Sequence, residues 1–300
     1  MTRSPPLARR GLRRLSGAAW RRPGLGLAGL LAPAGAWFAV VYLAALAMLL
    51  VAAFWRVDDL TGEIDRSFTL VNFQHLLASA TDRAIALRTV GLAAAVTAAD
   101  ALIAYPFAYF AARIAGPRLR LALFTLVMLP LWSSYLARVY AWRLILAHDG
   151  ILNWALAGLG RPAADIGYSR LAMFIVYTYL WLPFMIAPLQ TALERIPGSL
   201  FEASGDLGAR PWRTFAAVVL PLSRPGLVAG SLFTFSLTLG DYVTPLLVGG
   251  PGSDLLGNVV YGNVGIANDV PFAAAVATVP LLVMVLYLLA ARRLGALESL

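Results

Sequence analysis

An all-helical bundle built to sit in a bilayer is the fold this sequence predicts, and three observations predict it. Sixty per cent of the 300 residues are hydrophobic and only 13% are charged, and the mean hydropathy is +0.75, outside the range of an ordinary water-soluble domain. Six apolar stretches reach the length of roughly 20 residues that a helix needs to cross the hydrocarbon core. Arginine gathers in alternate connections between those stretches, the asymmetry that membrane topology imposes.

Residues 1–26 form a basic tail with seven arginines from Arg3 to Arg22. A basic tail before an apolar run is also how a signal peptide begins. Leu27–Trp55, however, is far longer than a signal core of about 7 to 15 residues, and no small-residue cleavage site stands out at its end. It reads as an uncleaved first span, and the tail as a topology signal, with contact to anionic lipid headgroups as the alternative. The first connection, Arg56 to Ile85, mixes Asp58, Asp59, Glu63, Asp65 and Asp82 with an apolar stretch from Leu70 to Leu77, which fits a short helix lying on the membrane surface. The remaining spans are placed at Leu87–Ala112, Leu121–Leu146, Leu171–Gln190, Leu227–Leu247 and Pro271–Ala291. One domain, residues 27–293, holds all six, with a polar loop at about 191–226, and residues 294–300 form a C-terminal end. No internal duplication, low-complexity linker or soluble domain is visible.

Orientation follows from arginine. Arg113, Arg118 and Arg120 lie between the second and third spans, Arg195, Arg210, Arg213 and Arg224 between the fourth and fifth, and Arg292 and Arg293 after the sixth. By the positive-inside rule both termini and the 191–226 loop are expected to be cytoplasmic. Topology thus accounts for the net charge of +9 without a nucleic-acid partner. The chain has no cysteine, so no disulfide or thiolate site is available. It has no lysine either, which rules out a Walker A phosphate loop and leaves any ATP to another chain. Neither His-Glu-x-x-His nor Gly-x-Ser-x-Gly occurs, which argues against an intramembrane protease or hydrolase. His75 and His148 stand alone in connections without a ligand set, so no metal and no cofactor is expected.

The 191–226 loop is the most patterned polar stretch. From Ser199 to Leu207, Leu200, Phe201, Ser204 and Leu207 recur at helical spacing on one side, while Glu202 and Asp206 lie an i,i+4 step apart on the other. Gly208 supplies a positive-φ helix end, and Pro211 starts a second helix with Trp212, Phe215 and Val219 on one face, ended by Leu220-Pro221. Two short helices across a tight bend present an apolar knob with a carboxylate rim to a partner's groove. Interfacial helices that bind nothing have the same shape, so shape alone leaves both readings open.

The residue pattern adds more. Glu202-Ala203-Ser204, Gly208 six residues after Glu202, and Val219-Leu220-Pro221 together resemble the EAA loop of binding-protein-dependent ABC importer permeases, with Ser204 where the family often has alanine. Leu129 to Tyr135 with Arg138 to Trp142, Gly150 to Asn153, and Ser236 to Pro245 followed by Gly249-Gly250-Pro251 are similar to spans and loops of spermidine/putrescine-type permeases. The resemblance covers about Leu27 to Arg293 and implies the MetI-like permease fold, all-α with six transmembrane helices and an EAA-type coupling loop. It further implies that Glu202, Ala203, Ser204, Asp206, Leu207 and Gly208 couple the chain to a pair of cytoplasmic ATPase subunits. A second permease, expected to be a different chain, and an extracytoplasmic solute-binding protein complete the machine it implies, seated in a bacterial inner membrane.

Ionisable residues at membrane depth are costly and therefore functional candidates. Here they are Asp100, Arg138, Arg143 and Asp241. Counting about 1.5 Å per residue from the cytoplasmic ends puts Arg138 about 25 Å along the third span and Asp241 about 22 Å along the fifth. In one outward layer they are expected to line or gate the translocation path, or else to form a structural ion pair. Gly240 and Thr244-Pro245 favour an irregular helix around Asp241. Asp100, nearer mid-membrane, lines the path or packs through a hydrogen bond, and Arg143 snorkels from a helix end. A polyamine needs carboxylates and aromatic faces, and Asp241, Tyr242, Trp132, Tyr135 and Tyr140 supply both, although aromatics near helix ends also serve as interfacial anchors. Arg138 counts against a simple cation cage, and permeases of this type that carry opines, amino-acid derivatives, iron or sulfate look alike in these spans. A self-sufficient secondary transporter would show inverted repeats and a coupling-ion carboxylate cluster, and neither is visible. The expectation is a permease subunit, not an enzyme, whose first solute class is the polyamines.

Overall fold

The computed structural model describes residues 23–58 and 61–293. The basic stretch 1–22, Asp59, Leu60 and the end 294–300 lie outside the described residues. The chain divides into two units, Met1–Ala52 and Ala53–Leu300. In the first, helix α1 (Pro23–Phe38) runs through a π-helical turn at Ala39–Leu43 into α2 (Ala44–Ala52). Gly29–Ala52 is long and apolar enough to cross a membrane, and it has no polar face, as a lipid-facing helix requires.

The second unit opens with a small hairpin in which β1 (Arg56–Val57) pairs antiparallel with β2 (Ile64–Asp65). Two-residue strands carry no periodicity, so nothing in the sequence announces them. Helix α3 (Val71–Ala78) falls where a short helix is expected at Leu70 to Leu77 and is anchored by Asn72, whose amide donates to the carbonyls of Ala53 and Trp55 at 3.2 and 2.8 Å. Helix α4 (Ala80–Tyr109) starts seven residues before the span placed at Leu87. The Ser79 hydroxyl accepts from the Asp82 amide, and Asp82 sits in the first turn where the helix dipole favours an acid, so polar residues begin the helix rather than delay it.

The stretch taken as one straight third span, Leu121–Leu146, is broken. Helix α5 (Pro117–Met128) ends in a 3-10 turn at Leu129–Trp132, and α6 (Tyr135–Leu146) with α7 (Ile151–Gly158) continues at 95° to it. Pro130 cannot donate to the helical ladder, the Ser133 hydroxyl donates to the Pro130 carbonyl, and Ser133 and Ser134 adopt extended backbone. The depth reckoned for Arg138 along a straight helix falls with it. Helix α8 (Arg170–Glu194) then leads to α9 (Gly198–Asp206) and α10 (Pro211–Thr214). Pro221 does not terminate the second loop helix: a π-helical turn at Phe215–Val219 joins α10 to α11 (Leu220–Gly240) without a stop. The wider turn just before Pro221 gives its ring room that an α-helical ladder would deny. Short helices α12 (Val243–Val248) and α13 (Leu256–Gly265) precede α14 (Val270–Arg293).

Helices α4, α8 and α11 form the core of this unit. The buried stripe of α4 runs Thr89, Ala93, Val96, Asp100, Ala104, Ala108, mostly small residues at helical spacing. On α11, a Cβ at Gly226 would lie 2.6 Å from the Pro188 carbonyl oxygen of α8, and one at Gly230 3.0 Å from the Met185 Cα. Small residues let the backbones approach, as they do where helices associate in lipid. Among the described residues five helices are long and apolar enough to span a membrane, or six if the bent pair counts as one, in keeping with the six segments expected.

Candidate functional site

The chemistry-bearing residues fall into two groups. The first surrounds α9. Leu193 and Ile196 are buried at the end of α8, and Pro197 leads directly into α9. Phe201 and Ser204 turn towards the bundle, while Glu202, Ala203, Asp206, Leu207 and Gly208 are exposed, Leu207 at 88%. The expected apolar side is therefore divided, with Phe201 packed and Leu207 free. Gly208 has φ +72°, the left-handed helix end foreseen from the sequence, a conformation that favours glycine. The Ser204 and Thr214 hydroxyls bond at 2.8 Å, closing the bend between α9 and α10. Phe215 packs edge-on against Tyr105 and Tyr109 of α4, at 5.4 and 5.8 Å between ring centres, and the Tyr105 hydroxyl meets Ser223 at 2.6 Å. Trp212 is exposed, so it does not share the packed face with Phe215 and Val219.

Arg113, counted in the sequence only as a topology charge, is central to this end. Its guanidinium donates to the carbonyls of Leu193 and Ile196 and lies 4.8 Å from the centre of the Phe201 ring. Nearby, Arg120 donates to the carbonyls of Ala111 and Ala112 at 3.0 and 2.9 Å and stands 3.9 Å from Glu194.

The second group is built on the break between α11 and α12. Asp241 is extended, and its carboxylate accepts from the amides of Val243 and Thr244 at 2.9 and 3.2 Å, capping α12. The same carboxylate accepts from the Tyr135 hydroxyl at 2.6 Å, and that hydroxyl also meets Thr244 Oγ1 at 2.8 Å. Tyr135 stacks on Trp181 at 5.8 Å and 10°, with the buried Tyr177 beyond it. Residues of α6, α8 and the break thus converge on one carboxylate, and the irregular backbone expected around Asp241 is present.

The ion pair weighed between Arg138 and Asp241 is not formed. Among the described residues Arg138 makes no ion pair, and its Nε and Nη1 are buried without a hydrogen-bond partner. The span bends at Ser133-Ser134, and on α6 it is Tyr135, one turn before Arg138, that reaches the carboxylate. Arg138 instead borders a cavity of about 390 Å³ with Ser133, Trp142 and Tyr179. Tyr242 faces away from the cluster and stacks on Tyr261 at 4.7 Å, beside a separate apolar cavity of about 450 Å³. Trp132 is 86% exposed and Tyr140 is exposed. Arg143 donates to the Tyr168 hydroxyl at 2.9 Å. Asp100 is fully buried in the α4 stripe, and among the described residues its carboxylate makes no hydrogen bond, contrary to the hydrogen-bonded packing role weighed for it.

With that geometry in hand, comparison with known proteins is informative. Residues 104–296 match the family described as binding-protein-dependent transport system inner membrane component. The chain is 45% identical to the inner membrane ABC transporter permease protein YdcU of Escherichia coli strain K12, over 98% of its own length and 97% of the relative's. It is 33% identical to the spermidine/putrescine transport system permease protein PotB of the same strain, over 81% of this chain and 88% of that one. Among solved structures, a chain of a bacterial ABC transporter involved in the import of the acidic polysaccharide alginate superposes with a TM-score of 0.69 at 18% identity, covering 93% of this chain and 99% of its own, a likeness that shows the fold. An α4–α8–α11 core, an exposed α9 loop and a family match over most of the chain make one conclusion: the protein belongs to the binding-protein-dependent transport system inner membrane components and is an ABC importer permease subunit.

Proposed function

We propose that this chain forms half of a translocation path for a polyamine-type solute across a bacterial inner membrane, with both termini and α9 on the cytoplasmic side. Cytoplasmic ATPase subunits seat on α9, a second and different permease chain completes the path, and an extracytoplasmic binding protein delivers the solute. The observation that carries this reading is α9 itself: Glu202, Ala203, Asp206 and Leu207 stay exposed on a helix whose other side is tied to the bundle through Phe201 and Ser204. An exposed leucine beside two carboxylates on an anchored helix suits a groove in a soluble partner. ATP-driven movement of that partner would then shift the permease between its conformations.

The solute class rests on the Asp241 cluster and on the PotB relatives. Asp241, Tyr135, Tyr177 and Trp181 supply a carboxylate and aromatic faces, the groups an alkylammonium seeks. Mild-detergent capture of the tagged chain from its host, followed by mass spectrometry, tests the assembly; recovery of an ATPase, a second permease and a binding protein is the expected result, and recovery of the chain alone would refute it. Labelled putrescine and spermidine uptake into proteoliposomes bearing that complex tests the solute. One observation favours a second reading, a solute that also carries a carboxylate, such as an amino-acid derivative or opine: the buried Nε and Nη1 of Arg138 stand without partners beside a cavity, and a guanidinium pairs with carboxylates. Competition of spermidine uptake by an amino acid of similar length separates the two.

A further inference from the structure

Helix α9 leaves α8 through a very short link, Arg195-Ile196-Pro197. Arg113 grips both sides of it. On the α8 side its guanidinium donates to the carbonyls of Leu193 and Ile196, at the helix end where the regular ladder gives out. On the α9 side its central carbon lies over the Phe201 ring, 4.8 Å from the centre, and the aromatic ring favours a cation there. The side chain itself rises from the π-helical turn Phe110–Ile114 that ends α4. Three elements therefore meet on one residue: Nη2 donates to both carbonyls while the delocalised guanidinium lies against the ring, and that contact with an aromatic ring is what arginine makes better than lysine.

We propose that Arg113 is the positioning residue that carries displacement of α9 into α4 and α8. This rests on the reading that α9 seats an ATPase. A turn of α9 about Pro197 moves Phe201 relative to the Leu193 and Ile196 carbonyls, so Arg113 must either follow the ring or lose it. Following the ring pulls on the π-helical turn, whose carbonyls at Ala111 and Ala112 are held from the other side by Arg120. A π-helical turn has looser ladder geometry than an α-helix and can absorb such a pull. The second tie, Ser204 to Thr214, leads instead to α10 and α11. Motion of one small helix is thereby split between two routes, and Arg113 owns the route to the α4–α8 pair.

The test is the number of ATP molecules hydrolysed per solute imported by the whole complex in proteoliposomes. Arg113→Gln is expected to raise that ratio about tenfold while the ATPase remains bound. Arg113→Lys restores part of the coupling, since an ammonium keeps the charge and can donate to the carbonyls but loses the guanidinium's contact with the Phe201 ring. Phe201→Leu raises the ratio less, and the double variant is no worse than Arg113→Gln because both changes break the same link. A wild-type ratio in Arg113→Gln overturns the proposal. Should Arg113→Gln fail to assemble, Phe201→Leu decides, because it removes the ring and keeps an apolar side chain; a wild-type ratio there is equally fatal. The docking reading has its own readout: Glu202→Arg should release the ATPase during purification, and undiminished co-purification would end that reading whatever the coupling ratio shows.

Discussion

Removing the Asp241 carboxylate should open the junction between α11 and α12, and the structure sets the size of the effect. The carboxylate accepts three hydrogen bonds, two from the first amides of α12 and one from Tyr135. A hydrogen bond to a charged group contributes about 1.5–3 kcal/mol, and loss of a helix cap costs about 1 kcal/mol. Tyr135 retains Thr244 as a partner, so its hydroxyl is not orphaned. Asp241→Ala should therefore cost about 3 kcal/mol, the cap plus one charge-assisted bond. Asp241→Asn keeps one acceptor oxygen but sets an NH2 donor where the other accepts, so it should cost about 2 kcal/mol, one lost bond beside the change from charged to neutral. Tyr135→Phe removes the same link from the other side, so the double variant with Asp241→Ala should be less damaging than the sum by about 1–2 kcal/mol. Thermal unfolding of the four proteins in one detergent, read beside polyamine uptake, is the assay. Strict additivity would refute the shared bond, and wild-type unfolding of Asp241→Ala would refute the junction altogether. Asp241→Asn with no more than that loss of stability and abolished uptake is the signature of a residue that meets solute, whereas proportional losses mark a packing role.

Three further outcomes follow from close contacts and buried charge. Gly226→Ala places a methyl 2.6 Å from the Pro188 carbonyl oxygen and 2.5 Å from the Ala192 Cβ, so α8 and α11 must part at a cost of about 1–3 kcal/mol; Gly230→Ala first meets the mobile Met185 sulfur and should cost less, and the reverse order of unfolding temperatures would contradict this packing. Gly208→Val has open space but φ +72°, so it pays only backbone strain of about 1–2 kcal/mol. The complex should insert and assemble yet lose solute-dependent ATPase activity, and normal activity would show that the bend does not matter to coupling. Asp100→Val replaces a buried carboxylate that lacks a hydrogen-bond partner among the described residues and should stabilise the protein by about 1–2 kcal/mol; a lower unfolding temperature would mean the carboxylate is held by something that matters.

What the sequence made legible divides along a physical line. Apolar run length is a one-dimensional property, so the number of spans and the short helix at Val71–Ala78 could be read directly. Residues that act on their own backbone were legible too: Gly208 takes the positive φ expected of it, and the helix does break beside Gly240. Prolines were harder because their effect depends on the neighbouring turn. Pro130, followed by two serines able to bond and extend, breaks a span that looked continuous, whereas Pro221, preceded by a π-helical turn, fails to end a helix that looked finished. The same residue type gave opposite outcomes because hydrogen bonding around it differed.

Pairing between distant helices was not legible at all, and Arg113 and Asp241 show why. Asp241 was matched with Arg138 because charge and estimated depth agreed, but depth was reckoned along a straight helix that bends by 95°. Its true partner, Tyr135, is one helical turn from Arg138 and carries no charge to advertise it. Arg113 had the opposite difficulty. The positive-inside rule already accounted for an arginine in that connection, so no unexplained residue remained to prompt a second role. A topology charge needs only to lie near the right end of a span, and any solvated arginine meets that need. Arg113 is instead spent on two helix-end carbonyls and an aromatic ring from two other elements. Satisfying a compositional rule therefore says nothing about whether a residue also bears a structural load, and only the three-dimensional partners distinguish Arg113 from an arginine that serves topology alone.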